Sequence, residues 1–165
     1  IPANPARLAK PQRVSPQGGV GIAFSGVKFD APAPVGAILS AHTLAPFDDC
    51  GGHVNPHAGY HYHAVTDCVA GRNTDENHAD MIGLAFDGYG LYQQLNNDSS
   101  TPSKLDTCGG HESNGLGYHY HVNAPGSNQI LSCFQAEQGC AATGGSTSCE
   151  MQRRPPPPHM QRQGE

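Results

Sequence analysis

With 165 residues, 21 Gly, 14 Pro, no Trp and only 14% charged residues, the chain suits one turn-rich β domain with a modest core and argues against long helices. A formal charge of −5, with no basic stripe beyond Arg153 and Arg154, makes nucleic acid an unfavoured partner. No apolar run approaches the roughly 18 residues of a membrane span, and a start at Ile1 rather than Met suggests a processed or trimmed N-terminus.

The first segment, residues 1–18, reads as an extended N-terminal arm because of Pro2, Pro5, Pro11 and Pro16. Residues 19–68 read as a half-domain. In it, Gly21-Ile22-Ala23-Phe24-Ser25-Gly26-Val27 predicts two short strands around a two-residue Ser-Gly hairpin turn. Asp48, the turn Cys50-Gly51-Gly52-His53 and the strand Tyr60-His61-Tyr62-His63 follow. A connector (69–80) leads to a second half (81–133). There Gly83-Leu84-Ala85-Phe86-Asp87-Gly88-Tyr89 repeats the hairpin at an offset of 83 − 21 = 62. Asp106, Cys108-Gly109-Gly110-His111 and Tyr118-His119-Tyr120-His121 repeat the rest at 111 − 53 = 58, a difference that a loop absorbs. Residues 135–165 form a Cys-containing region in which Pro155 to Pro158 impose polyproline II.

Neither half has enough apolar residues for its own core. The expected fold is therefore a single all-β domain, residues 19–134, mainly strands and long loops, with its duplicated halves packed about a pseudo-twofold axis in a sandwich or barrel-like arrangement. None of the six cysteines forms a CxxC pair, so they read as disulfides rather than thiolate zinc ligands. The favoured pairs are Cys50 with Cys68, Cys108 with Cys133, and Cys140 with Cys149, the first two closing loops around the histidine strands. Disulfides place the chain in the periplasm, at the cell surface or in the medium.

Successive strand residues point to opposite faces, so His61 and His63 share one face, as do His119 and His121. Alternate strand residues are about 6.6 Å apart at Cα, close enough for their imidazoles to meet at a metal at about 2.0–2.1 Å. The Gly-Gly before His53 and His111 permits a tight turn that returns a third histidine over each strand. The candidate ligands are thus His53, His61, His63, His111, His119 and His121, in one shared site or two. Three neutral imidazoles with an open position suit copper or zinc, and the Irving–Williams order slightly favours copper.

The remaining polar residues have simpler roles. His57, whose counterpart is Gly115, reads as a surface loop residue, as do the unrepeated His42, His78 and His159. Asp48 and Asp106 are candidates to orient histidine N–H groups from a second layer, or to cap the turns they precede. Asp87, whose counterpart is Ser25, is the one carboxylate offered as a ligand or general base, and otherwise a turn residue. Tyr60, Tyr62, Tyr118 and Tyr120 fall on the face opposite the histidines and belong in the core. No GxSxG elbow, P-loop, HExxH helix or EF-hand loop is present. Asn97-Asp98-Ser99 is a glycosylation sequon.

From about Gly19 to Phe134 these motifs, in this order, resemble the YHYH domain family, largely uncharacterised extracellular or periplasmic proteins named for the tetrapeptide. Where family members often carry Asn after Cys in the second copy, this chain has Gly109. The leading expectation is a secreted metal-binding protein. The alternatives are an extracellular metalloenzyme using an open coordination position, and a structural module that self-associates through its arms.

Overall fold

The computed structural model describes residues 1–16, 18–34, 36, 47–55, 58–73, 75–113 and 115–139. His42, His57, His159, Cys140, Cys149 and the Pro155 to Pro158 run lie outside them, and with them the expected third disulfide and the surface reading of those three histidines. The chain is all-β: β1 (Arg7–Arg13), β2 (Gly19–Ala23), β3 (Lys28–Asp30), β4 (Gly52–Asn55), β5 (Gly59–Tyr62), β6 (Met81–Ala85), β7 (Gly90–Tyr92), β8 (Gly110–Ser113), β9 (Gly117–His121) and β10 (Cys133–Ala136). No helix among the described residues is long and apolar enough to cross a membrane.

Eight strands form one open sheet in the order β4-β5-β3-β2-β6-β7-β9-β8. It is therefore not a closed barrel. The β3/β5 and β7/β9 pairs are parallel and the remaining pairs antiparallel. At the centre Ile22 lies opposite Leu84, its own counterpart at the 62-residue offset, and four strands follow in matching order on either side. The expected hairpins form, but with three-residue loops. Gly26 donates to Ala23 O and Ala23 to Val27 O, each at 2.9 Å, and Gly26 and Gly88 supply the positive φ of 84° and 98° that such turns require.

The register puts one residue from every strand into a single row on one face: His53, His61, Lys28, Ile22, Leu84, Gly90, His119 and His111. Five strand spacings of about 4.8 Å separate His61 from His119, roughly 24 Å. The histidines thus form two groups at opposite edges of one face. On the other face Phe29, Tyr62, Leu91 and Tyr120 join Val20, Ile82, Ile130, Leu131 and Phe134 in the core.

The segment read as an N-terminal arm is part of this domain. β1 pairs antiparallel with β10, and β10 is fastened to the main sheet. Its anchors are the Cys108–Cys133 disulfide, a bond from Gln135 Nε2 to Asp106 Oδ2 (2.8 Å), and a buried knot around Asp87. Asp87 is fully buried and accepts from Tyr120 Oη (2.6 Å), Ala136 N (3.1 Å) and Tyr89 N (3.4 Å). Tyr120 Oη in turn accepts from Gln135 N at 2.7 Å. Burial raises the Asp87 carboxyl above the usual range. The residue offered as a general base therefore sits on the tyrosine face and joins two sheets.

The knot predicts that Tyr120→Phe, which removes the shortest bond to the buried Asp87 carboxylate and the hydroxyl that accepts from Gln135 N, lowers stability by about 1–3 kcal/mol. Denaturant unfolding at neutral pH measures the loss.

Candidate metal centres

The sequence Asp-x-Cys-Gly-Gly-His, with x Asp49 or Thr107, builds the same corner twice. Asp48 Oδ1 accepts from Cys50 N and Gly52 N at 3.0 and 2.9 Å, and Asp106 Oδ1 from Cys108 N and Gly110 N at 2.8 and 3.1 Å. The first glycine of each pair takes positive φ, 80° at Gly51 and 81° at Gly109. The second opens the following strand, where any Cβ would collide with the hydroxyl end of Tyr60 or Tyr118. Those hydroxyls donate to the second oxygen of the same aspartates. Of the two roles read for Asp48 and Asp106, the structure gives the turn cap, and each also holds a tyrosine hydroxyl. Disulfides Cys50–Cys68 and Cys108–Cys133 lock each corner to the chain beyond its histidine strand.

The third histidine reaches each group by strand pairing, not by folding back over the strand. His53 lies directly opposite His61, and His111 opposite His119, the closest placement an antiparallel pair offers for cross-strand side chains. His63 and His121 follow two residues later on the same face. His61, His63, His119 and His121 are only 1–5% exposed. Phe47 lies over the first group, its ring centroid 5.3 Å from that of His53 and 5.6 Å from that of His63. Tyr62 and Tyr120 enter the core as expected and Tyr118 packs against it half-buried, whereas Tyr60 is exposed; Tyr60 and Tyr118 are the partners of the aspartates.

His78 joins the second group and is not the ordinary surface residue its lack of a repeat partner suggests. A turn in the connector presents it, with Asp75 O accepting from His78 N (3.0 Å) and Asp75 Oδ1 from Asn77 N (2.9 Å). Its Nε2 lies 3.0 Å from His119 Nε2. One potential ligand atom from each of His53, His61 and His63, and from each of His78, His111, His119 and His121, lies within 4.8 Å of all the others in its group. Both groups could hold a metal ion.

The hydrogen bonds assign the protons. A carbonyl oxygen only accepts, so every Nδ1 that meets one carries the hydrogen. This applies to His61 with Gly59 O (3.0 Å), His63 with Ala31 O, His78 with Ala79 O (3.0 Å), His111 with Ser103 O (2.8 Å), His119 with Gly117 O (3.0 Å) and His121 with Gln93 O (2.8 Å). Their Nε2 atoms then turn towards one another, whereas His53, whose Nδ1 is buried with no hydrogen-bond partner among the described residues, is free to carry its proton on Nε2 and donate it to His61 or His63. The separations are 3.1, 3.0 and 3.2 Å within the first trio, and 3.0 Å for His111–His119 and 3.3 Å for His121–His111. Tetrahedral nitrogens bound at about 2.05 Å would lie about 3.3 Å apart. Carbonyl-bound Nδ1–H groups are also the usual partners that fix a ligating histidine.

A family model described as YHYH protein matches residues 1–104. The chain belongs to the YHYH protein family. The match includes β1 and the first histidine strand; the second YHYH copy, at Tyr118 to His121, lies beyond it. No curated protein and no solved structure matches the chain.

Electrostatics explains why protons cannot easily fill these clusters. Burial, and then the charge of neighbouring histidines, holds His119 down at about 4 and His121 at about 3 despite the favourable carbonyls. Burial likewise lowers His53 and His63. Each group is depressed on folding, so the unfolded chain takes up protons first as pH falls. Stability is full above about 6.5 and is lost as pH drops towards 4 and 3. Asp87, raised by burial, acts in the opposite sense.

Chelator-treated protein is therefore expected to unfold at lower urea concentration at pH 5 than at pH 7.5, each of His119 and His121 contributing at most about 2 kcal/mol. His121→Gln should shrink the difference between the two pH values, which separates the histidine share from that of Asp87.

Proposed function

We propose that this YHYH protein is a secreted or periplasmic metal-binding protein that holds two separate transition-metal ions, copper in preference to zinc. One observation carries the reading: in each group the Nε2 atoms converge to 3.0–3.3 Å while the Nδ1–H groups, His53 excepted, are held by backbone carbonyls. Two unprotonated Nε2 atoms at that distance repel without a cation between the rings, and in the second group burial of His119 and His121 disfavours a proton in that place. A metal ion removes the repulsion while leaving the Nδ1–H bonds intact.

His53, His61 and His63 are the donors of one centre, and His78, His111, His119 and His121 those of the other. The separation of roughly 24 Å supports two ions rather than one shared ion. Imidazole-rich donor sets without thiolate favour copper over zinc by the Irving–Williams order. The disulfide beside each centre fits an oxidising compartment.

Protein purified without a histidine tag should contain close to two equivalents of metal by elemental analysis. His61→Ala and His119→Ala should each lose about one, and the double variant both. Metal-free native protein whose stability is unchanged by chelator would overturn the reading.

A further inference from the structure

Beyond their shared trio of histidines, the two centres draw their neighbours from different residues. β3 lies beside β5 as β7 lies beside β9, in matching register: Lys28 pairs with His61, and Gly90 with His119. The third residues of these strands, Asp30 and Tyr92, are therefore counterparts at 92 − 30 = 62. Tyr92 stacks its ring against the second group, with centroids 4.6 Å from His119 and 4.9 Å from His78. Asp30 places a carboxylate at the corresponding position beside the first group.

Asp30 is only 8% exposed. Its Oδ1 accepts from Ala31 N at 3.0 Å and Lys28 Nζ at 3.1 Å, while Oδ2 lies 3.9 Å from His61 Nε2. Lys28 is 42% exposed in its side chain, so its charge is largely satisfied by water and compensates the buried carboxylate only on one oxygen. The other oxygen faces the His61 imidazole.

We propose that the centres have different donor sets: the first holds its ion with His53, His61, His63 and the Asp30 carboxylate, the second with four imidazoles that include His78. This rests on the metal-binding reading above. An oxygen and a nitrogen on one tetrahedral ion lie about 3.3 Å apart; Asp30 Oδ2, 3.9 Å from His61 Nε2, stands just outside the trio, whose ligand atoms lie within 4.8 Å of one another, so the carboxylate joins the ion by turning about χ2 towards it. The carboxylate is a harder donor and neutralises one charge of a divalent ion, so the first centre accepts a wider range of metals. The four-imidazole centre has no such compensation and depends on the metals that bind nitrogen most strongly.

The test isolates each centre. His119→Ala with His121→Ala removes the second, and His61→Ala with His63→Ala removes the first. Copper(II) affinity is then measured by chelator competition, and coordinated nitrogens are counted from the hyperfine structure of the electron paramagnetic resonance spectrum. Asp30→Asn should weaken copper binding at least tenfold where only the first centre remains, with Asp30→Glu recovering part of the loss, and should change it less than twofold where only the second remains. His78→Gln should do the reverse. Three nitrogens are expected for the first centre and four for the second. Unchanged affinity of the first centre in Asp30→Asn, or equal nitrogen counts in both, would overturn the proposal. Absence of copper from both backgrounds and from the wild-type chain would overturn the metal-binding reading itself.

Discussion

Across the two edge hairpins, His53 faces His61 and His111 faces His119, and every other placement in the sheet is tied to that register. Side chains alternate with a period of two, so a slip of one residue would turn the histidines into the core and the tyrosines out of it. The Asp-x-Cys-Gly-Gly corners prevent the slip. Each aspartate fixes two turn amides with one oxygen and a tyrosine hydroxyl with the other, while a disulfide ties the corner to the chain beyond the histidine strand or to β10.

The two faces of this sheet make opposite contributions to stability. Phe29, Tyr62, Leu91, Tyr120 and their neighbours bury apolar surface on one side, the main favourable term in a chain of this size. On the other side, imidazoles are held almost out of water in a form that cannot readily take up a proton. Except at His53, whose Nδ1 is buried without a partner among the described residues, their Nδ1 atoms are satisfied by backbone carbonyls, and their Nε2 atoms converge on one another. The fold thus carries a local electrostatic cost at the place where a cation would bind, a common arrangement for residues selected for binding rather than stability.

The row of paired residues from His53 to His111 also explains why there are two histidine groups. Lys28, Ile22, Leu84 and Gly90 separate the histidine groups across the middle of the sheet, so no side chain can bridge them. Segments outside the repeats complete the surroundings of each. β1 and β10 close over the tyrosine face through Asp87 and Tyr120, and the connector delivers His78 to the second group.

From the sequence alone came the all-β class, the histidine trios and the cysteines that flank them, because these depend on local physics: period-two alternation, glycine turns and one constant offset between copies. Strand pairing decided what local pattern could not. His78 stands 111 − 78 = 33 residues before His111 with no periodic signal to mark it, and Asp30 meets His61 only because β3 runs parallel beside β5. Asp87 looked like a turn residue or a base, and became a buried link between two sheets once Tyr120 and Ala136 closed on it. Sequence spacing specifies which face a strand residue takes, whereas its neighbours across the sheet and from distant loops exist only after the chain has closed on itself.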